Sequence, residues 1–152
     1  MMATMTKTVS VEDLMLNITQ EIHVKAGLEA TFAALLEQMG PANEGGQGAP
    51  MPMKLEAWPG GRWYRDLGGD NGHFWGHVQA IKRPTLLEIV GPLFASYPLA
   101  SNVQYRLKEA DGGTLITFRH TALGLIEDQH REGVVHGWSA LLEMTRDRAE
   151  KR

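Results

Sequence analysis

The six histidines are the side chains with the widest chemical range in this chain, and their spacing limits what they can do. His73 and His77 stand two strand repeats apart, on one face of an extended segment, while His120 and His130 flank the turn into the last helix. Zinc requires three or four ligands in tight geometry. The sequence offers no Cys, no His-x-x-x-His on a helix and no carboxylate at useful spacing from His73 or His77, so no metal and no other cofactor is expected. His120, at a strand end, reads first as a buried, hydrogen-bonded histidine; its ordinary pKa of about 6.5 also makes it the first candidate for a general base. Ser10, Ser96, Ser101 and Ser139 lack the glycine context of a nucleophile elbow. No helix begins after Gly68-Gly69, so that turn is hairpin material and not a phosphate cradle. Catalytic residues stay unassigned.

A second constellation lies on the last helix. His130, Gly133, Gly137 and Leu141 fall at i, i+3, i+7 and i+11, next to Val134 and Trp138. A glycine inside a helix costs about 1 kcal/mol relative to alanine, so two of them need a reason. Both are expected to look toward a sheet. Either they allow two backbones to approach, with Trp138 filling the remaining gap, or their missing side chains leave room for a ligand. The strands add Trp58, Trp63, Tyr64, Phe74, Trp75, Tyr105 and Phe118, which serve a core or an apolar ligand equally well. The residues expected to line a site are Trp63, Phe74, Tyr105, Phe118, His120, His130, Gly133, Val134 and Gly137.

The elements that must position these groups follow from periodicity. Leu16, Ile18, Gln20, Ile22 and Val24 alternate with polar neighbours, the pattern of a half-buried strand. Leu28, Phe32, Leu35, Leu36 and Met39 make one helical face, stopped by Gly40-Pro41. Residues 40–52 hold four Gly and three Pro among thirteen positions, which rules out a regular element and leaves a long loop, either a lid or a tolerated insertion. Short strands are expected over 53–58, 62–67, 73–82, 86–90, 102–109 and 114–122, with 93–100 looser. Their Gly-, Pro- and Asp-rich turns imply an antiparallel meander. The final helix runs from about Glu127, with Val134, Trp138, Leu141, Leu142 and Thr145 as its buried stripe. At roughly 36 Å it is too long to cap one edge and must lie across the sheet.

Composition sets the outer bounds. The 152 residues, 43% hydrophobic and 22% charged, suit one domain over 1–152, with 1–13 expected as a flexible tail. A net charge of −3 gives no basic face for nucleic acid. No stretch matches a membrane span or a signal peptide, so neither a membrane nor export is expected and the cytoplasm is the default. A homodimer is compatible with base rates, though no residue argues for it.

The order strand, helix, flexible loop, antiparallel strands, long helix resembles the START-like (SRPBCC) superfamily, and within it the bacterial branch related to the C-terminal domain of the heat-shock ATPase activator. The resemblance rests on Ala26-Gly27-Leu28-Glu29-Ala30-Thr31-Phe32, Pro59-Gly60-Gly61-Arg62-Trp63, Phe74-Trp75-Gly76-His77-Val78 with Ile81 and Pro84, Gly113 to His120, and Gly137-Trp138 with Leu141-Leu142. It spans about Leu16 to Arg148. It implies an α+β helix-grip fold, a curved antiparallel sheet wrapped around the C-terminal helix and enclosing a hydrophobic cavity. Gly27 replaces the usual Ser-Pro helix start, and residues 40–52 replace a short second helix. The superfamily shares no catalytic set, so the resemblance carries no catalytic role.

Three functions compete. One is a non-catalytic carrier or sensor of a small hydrophobic ligand, resting on the glycine stripe, the aromatic strands and the loop with Met51 and Met53. Another is a cyclase, dehydratase or hydrolase using His120 or His130. The third is an interaction module modulating a chaperone ATPase, which requires a packed interior and an exposed apolar patch.

Overall fold

The computed structural model describes residues 10–151. Most of the tail expected over 1–13 lies outside the described residues. Within them, Ser10 donates from its backbone and its hydroxyl to Asp13 Oδ2, ahead of a short 3-10 turn over Glu12–Leu14.

Strand β1 (Met15–Val24) and helix α1 (Leu28–Met39) follow where the alternation and the helical face place them. Phe32, Leu35 and Met39 are buried along α1, and Gly40 ends it. Strands β2 (Lys54–Leu55), β3 (Arg62–Gly68), β4 (Asn71–Lys82), β5 (Leu86–Gly91), β6 (Leu99–Ala110) and β7 (Gly113–Gly124) precede helix α2 (Asp128–Glu150). The antiparallel sheet has seven strands in the order β1-β7-β6-β5-β4-β3-β2, and it is curved and unclosed around α2, which is the helix-grip architecture.

The strand expected over 53–58 shrinks to two residues for a local reason. Arg62 grips both oxygens of Glu56 at 2.7 and 2.9 Å, and Glu56 Oε1 also accepts the Arg62 backbone N–H. A Cβ on Gly61 would sit 1.9 Å from the Glu56 carbonyl oxygen, so only glycine permits this turn. Trp58 is carried out of the sheet and is 57% exposed.

The core lies between the concave face and the two helices. Val103, Tyr105 and Leu107 on β6 face it with Ile116, Phe118 and His120 on β7, each at most 3% exposed. Val134, Trp138, Leu141, Leu142, Thr145 and Ala149 are the buried stripe of α2. The C-terminal half of α2 is fastened to α1, where Arg148 Nε donates to Gln38 Oε1 at 3.1 Å.

The loop 40–52 is anchored at its base. Asn43 Nδ2 donates to the Met51 carbonyl, the Met51 N–H to that of Asn43 and the Met53 N–H to that of Gly40. Met53 is buried and Met51 packs on the core.

β4 meets β5 at very close range. A Cβ on Gly76 would lie 2.6 Å from the Val90 carbonyl oxygen and 2.9 Å from Ile89 Cγ2. Gly76→Ala is therefore expected to destabilise the protein by about 1–3 kcal/mol, measured as a lowered urea midpoint. An unchanged midpoint would mean that the two strands part without cost.

Candidate functional site

A β-bulge decides which aromatic side chains reach the concave face. Trp63 pairs with Gly76, yet Tyr64 pairs with Phe74, so Trp75 is an extra residue in β4. The bulge breaks simple alternation and turns Trp75 inward, its ring 5.0 Å from Trp63 and its Nε1–H donating to His73 Nδ1. Phe74 is turned outward, 39% exposed and 4.8 Å from the ring of His77. The expectation that Phe74 lines the site is thus corrected, and so is the shared face of His73 and His77. Strict alternation fails at the inserted residue.

From Trp63 the aromatic contacts continue toward solvent. Trp75 meets Phe94 at 5.8 Å, Phe94 meets His130 at 4.6 Å, and His130 meets Tyr97 at 5.5 Å. Phe94 and Tyr97 belong to the β5–β6 connection, a strap tied down by buried Leu93 and Ala95 and by the Leu93 N–H donating to the Trp75 carbonyl. His130 is half-buried, and burial lowers its pKa.

The helical glycines do not face the sheet. Gly133 and Gly137 are exposed, and nothing lies within 4 Å of where a Cβ on either would sit. Each precedes a buried residue, Val134 or Trp138, and one residue is about 100° of helical turn. That rotation carries them onto the flank beside the stripe. His130, on the same flank, touches the strap; beyond it the two glycines leave the helix surface bare.

A second aromatic group fills the interior. Tyr105 lies 5.0 Å from Phe118, and Phe118 lies 4.7 Å from Trp138. With Trp63, Tyr105 and Phe118 fully buried, side chains occupy the space where the sequence suggests a cavity. The clefts found at the surface are open and lie elsewhere. One, of about 430 Å³, has Glu37, Gln38, Asp147 and Arg148 among its walls, and another, of about 300 Å³, has Gln20, Ser139 and Glu143.

His120 holds this interior together. Trp138 Nε1–H donates to His120 Nδ1 at 3.0 Å, and His120 Nε2 lies 2.9 Å from Ser101 Oγ. Indole nitrogen only donates, so Nδ1 accepts and Nε2 carries the proton toward Ser101. With both nitrogens engaged, this tautomer has no lone pair for a substrate proton and cannot activate Ser101. Burial lowers the His120 pKa to about 4, which keeps the ring neutral. The general-base expectation fails on this tautomer. His77 and His23 also have partners, lying 3.1 Å from the Gly60 carbonyl and 2.8 Å from that of Ala110. No group of three His, Asp or Glu converges among the described residues.

Sequence reasoning missed Trp75, Phe94, Tyr97 and Ser101. The bulge hid Trp75, and Phe94 and Tyr97 lie outside any periodic segment. Ser101 was legible in principle, because the alternation of Leu107, Tyr105 and Val103 extends back to it.

A family model described as "Activator of Hsp90 ATPase homolog 1-like protein" matches residues 25–146. No curated protein matches the chain. Among solved structures, a putative uncharacterized protein from Rhizobium leguminosarum is similar at 18% identity and a TM-score of 0.71, over 91% of this chain and 96% of that one. Ara h 8.0201 is similar at 13% identity and a TM-score of 0.68, over 91% and 99%. The di-domain ARO/CYC StfQ from the steffimycin biosynthetic pathway is similar at 12% identity and a TM-score of 0.67, over 93% of this chain and 53% of StfQ. At these identities the likeness concerns the fold.

Two measurements check this geometry. Gly133→Ala and Gly137→Ala are each expected to stabilise the protein by about 0.5–1 kcal/mol, since a methyl group meets only open space there; a fall in melting temperature would place the glycines against a neighbour. As pH falls, the unfolded chain protonates His120 near 6.5 and the folded protein only near 4. The stability from neutral His120 is whole above the first value and lost progressively toward the second, by about 3 kcal/mol in all. His120→Gln, which keeps an acceptor and a donor without titrating, should flatten the pH dependence of the urea midpoint across that window. An equally steep profile would show that other groups cause it.

Proposed function

The chain belongs to the Activator of Hsp90 ATPase homolog 1-like family, and from that premise we propose that it binds a small hydrophobic molecule between α2 and the sheet, as a non-catalytic carrier or sensor in the cytoplasm. The observation that supports this most directly is the aromatic line from buried Trp63 through Trp75 and Phe94 to His130 and Tyr97, ending beside the bare flank of Gly133 and Gly137. Phe94 is 40% exposed although it stands among aromatic neighbours, so an apolar ligand would complete its burial. The strap and the first turns of α2 would move apart to admit the molecule. Trp63, Tyr105, Phe118, Val134 and Trp138 would form the inner wall.

This reading favours binding over catalysis because both nitrogens of His120 are engaged within the core, while His130 stands half-buried in ring contact with Phe94 and Tyr97. The family description names an ATPase activator, but the exposed apolar side chains alone do not identify a chaperone surface.

The probe 8-anilinonaphthalene-1-sulfonate is expected to bind saturably, with enhanced emission. Gly137→Leu, which fills the bare flank while leaving the buried stripe intact, should weaken that binding about tenfold or more, and Phe94→Ala should weaken it less. A Gly137→Leu protein that keeps its melting temperature and its full affinity for the dye would refute the reading, as would binding that never saturates.

A further inference from the structure

Trp58 is the most exposed aromatic side chain among the described residues, and the chain is built to hold it out. The turn that carries it is closed by the grip of Arg62 on Glu56 and by the Gly61 N–H donating to the Trp58 carbonyl. It is also laced to β4, where the Gly60 N–H donates to the Val78 carbonyl and the Val78 N–H to that of Gly61. A loose loop could fold the ring back onto the surface. A turn tied at so many points keeps it in solvent.

The charges around this ring are one-sided. Arg83, in the β4–β5 turn, donates from Nη2 to the Ala57 carbonyl, which brings its guanidinium to the residue beside Trp58. Lys82 pairs with Leu86 and Leu86 with Arg106, so these three form one row on the convex face, and Lys108 follows Arg106 two residues on. All four cations are exposed, and none forms an ion pair among the described residues. The nearby carboxylates are occupied: Glu56 by Arg62, Glu88 by the amides of Gln79 and Asn102, and Glu21 by the Thr117 hydroxyl at the β1 edge. Glu109 alternates to the other side of the sheet from Lys108, and Asp111 lies beyond it at the β6–β7 hairpin tip. A net charge of −3 for the whole chain thus coexists with a basic patch beside an exposed indole. The β4–β5 turn and the strap stand at opposite ends of β5, so the patch is separate from the ligand site proposed above.

We propose that this end of the protein docks on a membrane surface rich in anionic phospholipid, with Trp58 seated at the headgroup level and Lys82, Arg83, Arg106 and Lys108 facing the phosphates. An indole has an apolar body and a polar N–H, and it settles where hydrocarbon meets water. Each cation near an anionic surface strengthens attachment by about fivefold. The ring and the charges therefore act together. A nucleic acid strand would call for several rings to stack its bases, and this patch has one. A folded acidic protein would call for a cleft to seat in, and neither surface cleft is lined by these residues. A fluid headgroup layer adapts to cations spread over a turn and two strands.

Co-sedimentation with vesicles of phosphatidylcholine alone, and with about one-third phosphatidylserine, tests this. The protein is expected to bind the second kind at least about tenfold better, and to lose that advantage when salt rises from about 0.1 to about 0.5 M. Arg106→Glu combined with Lys108→Glu, on an exposed strand face, should weaken binding about tenfold or more with the melting temperature kept. Acyl chains brominated near the headgroup read the ring. They should quench the emission of the bound wild type and not that of Trp58→Phe, since Trp63, Trp75 and Trp138 lie in or against the core. Equal binding to both vesicles, or binding to neither, overturns the proposal, as does a charge-reversed protein that binds undiminished. Quenching that persists in Trp58→Phe places the lipid in the interior, which overturns surface docking while supporting the binding function above. Tighter binding to a single-stranded oligonucleotide than to the anionic vesicles assigns the patch to nucleic acid and overturns it as well.

Discussion

The hydrogen bond from Trp138 to His120 is the constraint on which the interior depends. It joins the middle of α2 to the centre of β7 inside a largely apolar core, and it has one permitted direction. Apolar packing alone would let a long helix rotate or slide over a curved sheet at little cost, since dispersion contacts are non-directional. A buried donor and acceptor fix the rotation, because any other setting leaves both groups unsatisfied. The same bond decides the chemistry. By claiming Nδ1 it makes the imidazole a structural group and passes the polarity of the relay to Ser101.

Much of the architecture was legible because it follows from periodicity. The alternation in β1, the helical face of α1, the turn residues between strands and the extent of α2 all reflect burial on one side, which a sequence records directly. The site was less legible. Reading Phe74 as inward assumed unbroken alternation from Val78, and one inserted residue at Trp75 reverses that assignment. Reading Gly133 and Gly137 as inward assumed that neighbours of Val134 and Trp138 share their face, whereas adjacent helical residues diverge by more than a quarter turn. Both errors concern local geometry within elements that were themselves correctly placed. The Phe94–Tyr97 strap had no periodic signal at all, since its position comes from tertiary contacts to Trp75 and His130.

The glycine pair has a different meaning once it is seen on the flank. Gly76 and Gly61 are small because neighbouring backbone leaves no room, while Gly133 and Gly137 are small with nothing near them. The first kind reports packing. The second gives up helix propensity without gaining a contact, and natural proteins keep such local inconsistencies mostly where function asks for them.

That inconsistency divides α2 into unequal halves. Its last turns are held by Leu141, Leu142, Thr145 and Ala149 in the core and by Arg148 on Gln38, whereas its first turns rest on Val134, the strap and Arg131 reaching the carbonyls of Met15 and Asp13. Two glycines lower the intrinsic helicity of the weaker half, so breathing should begin there, with the C-terminal half as its fixed hinge. Any guest that enters by that motion meets a protein that is receptive for only a fraction of the time. Its observed affinity is then the intrinsic affinity scaled by that fraction, so residues that never touch the guest would still set how tightly it is held.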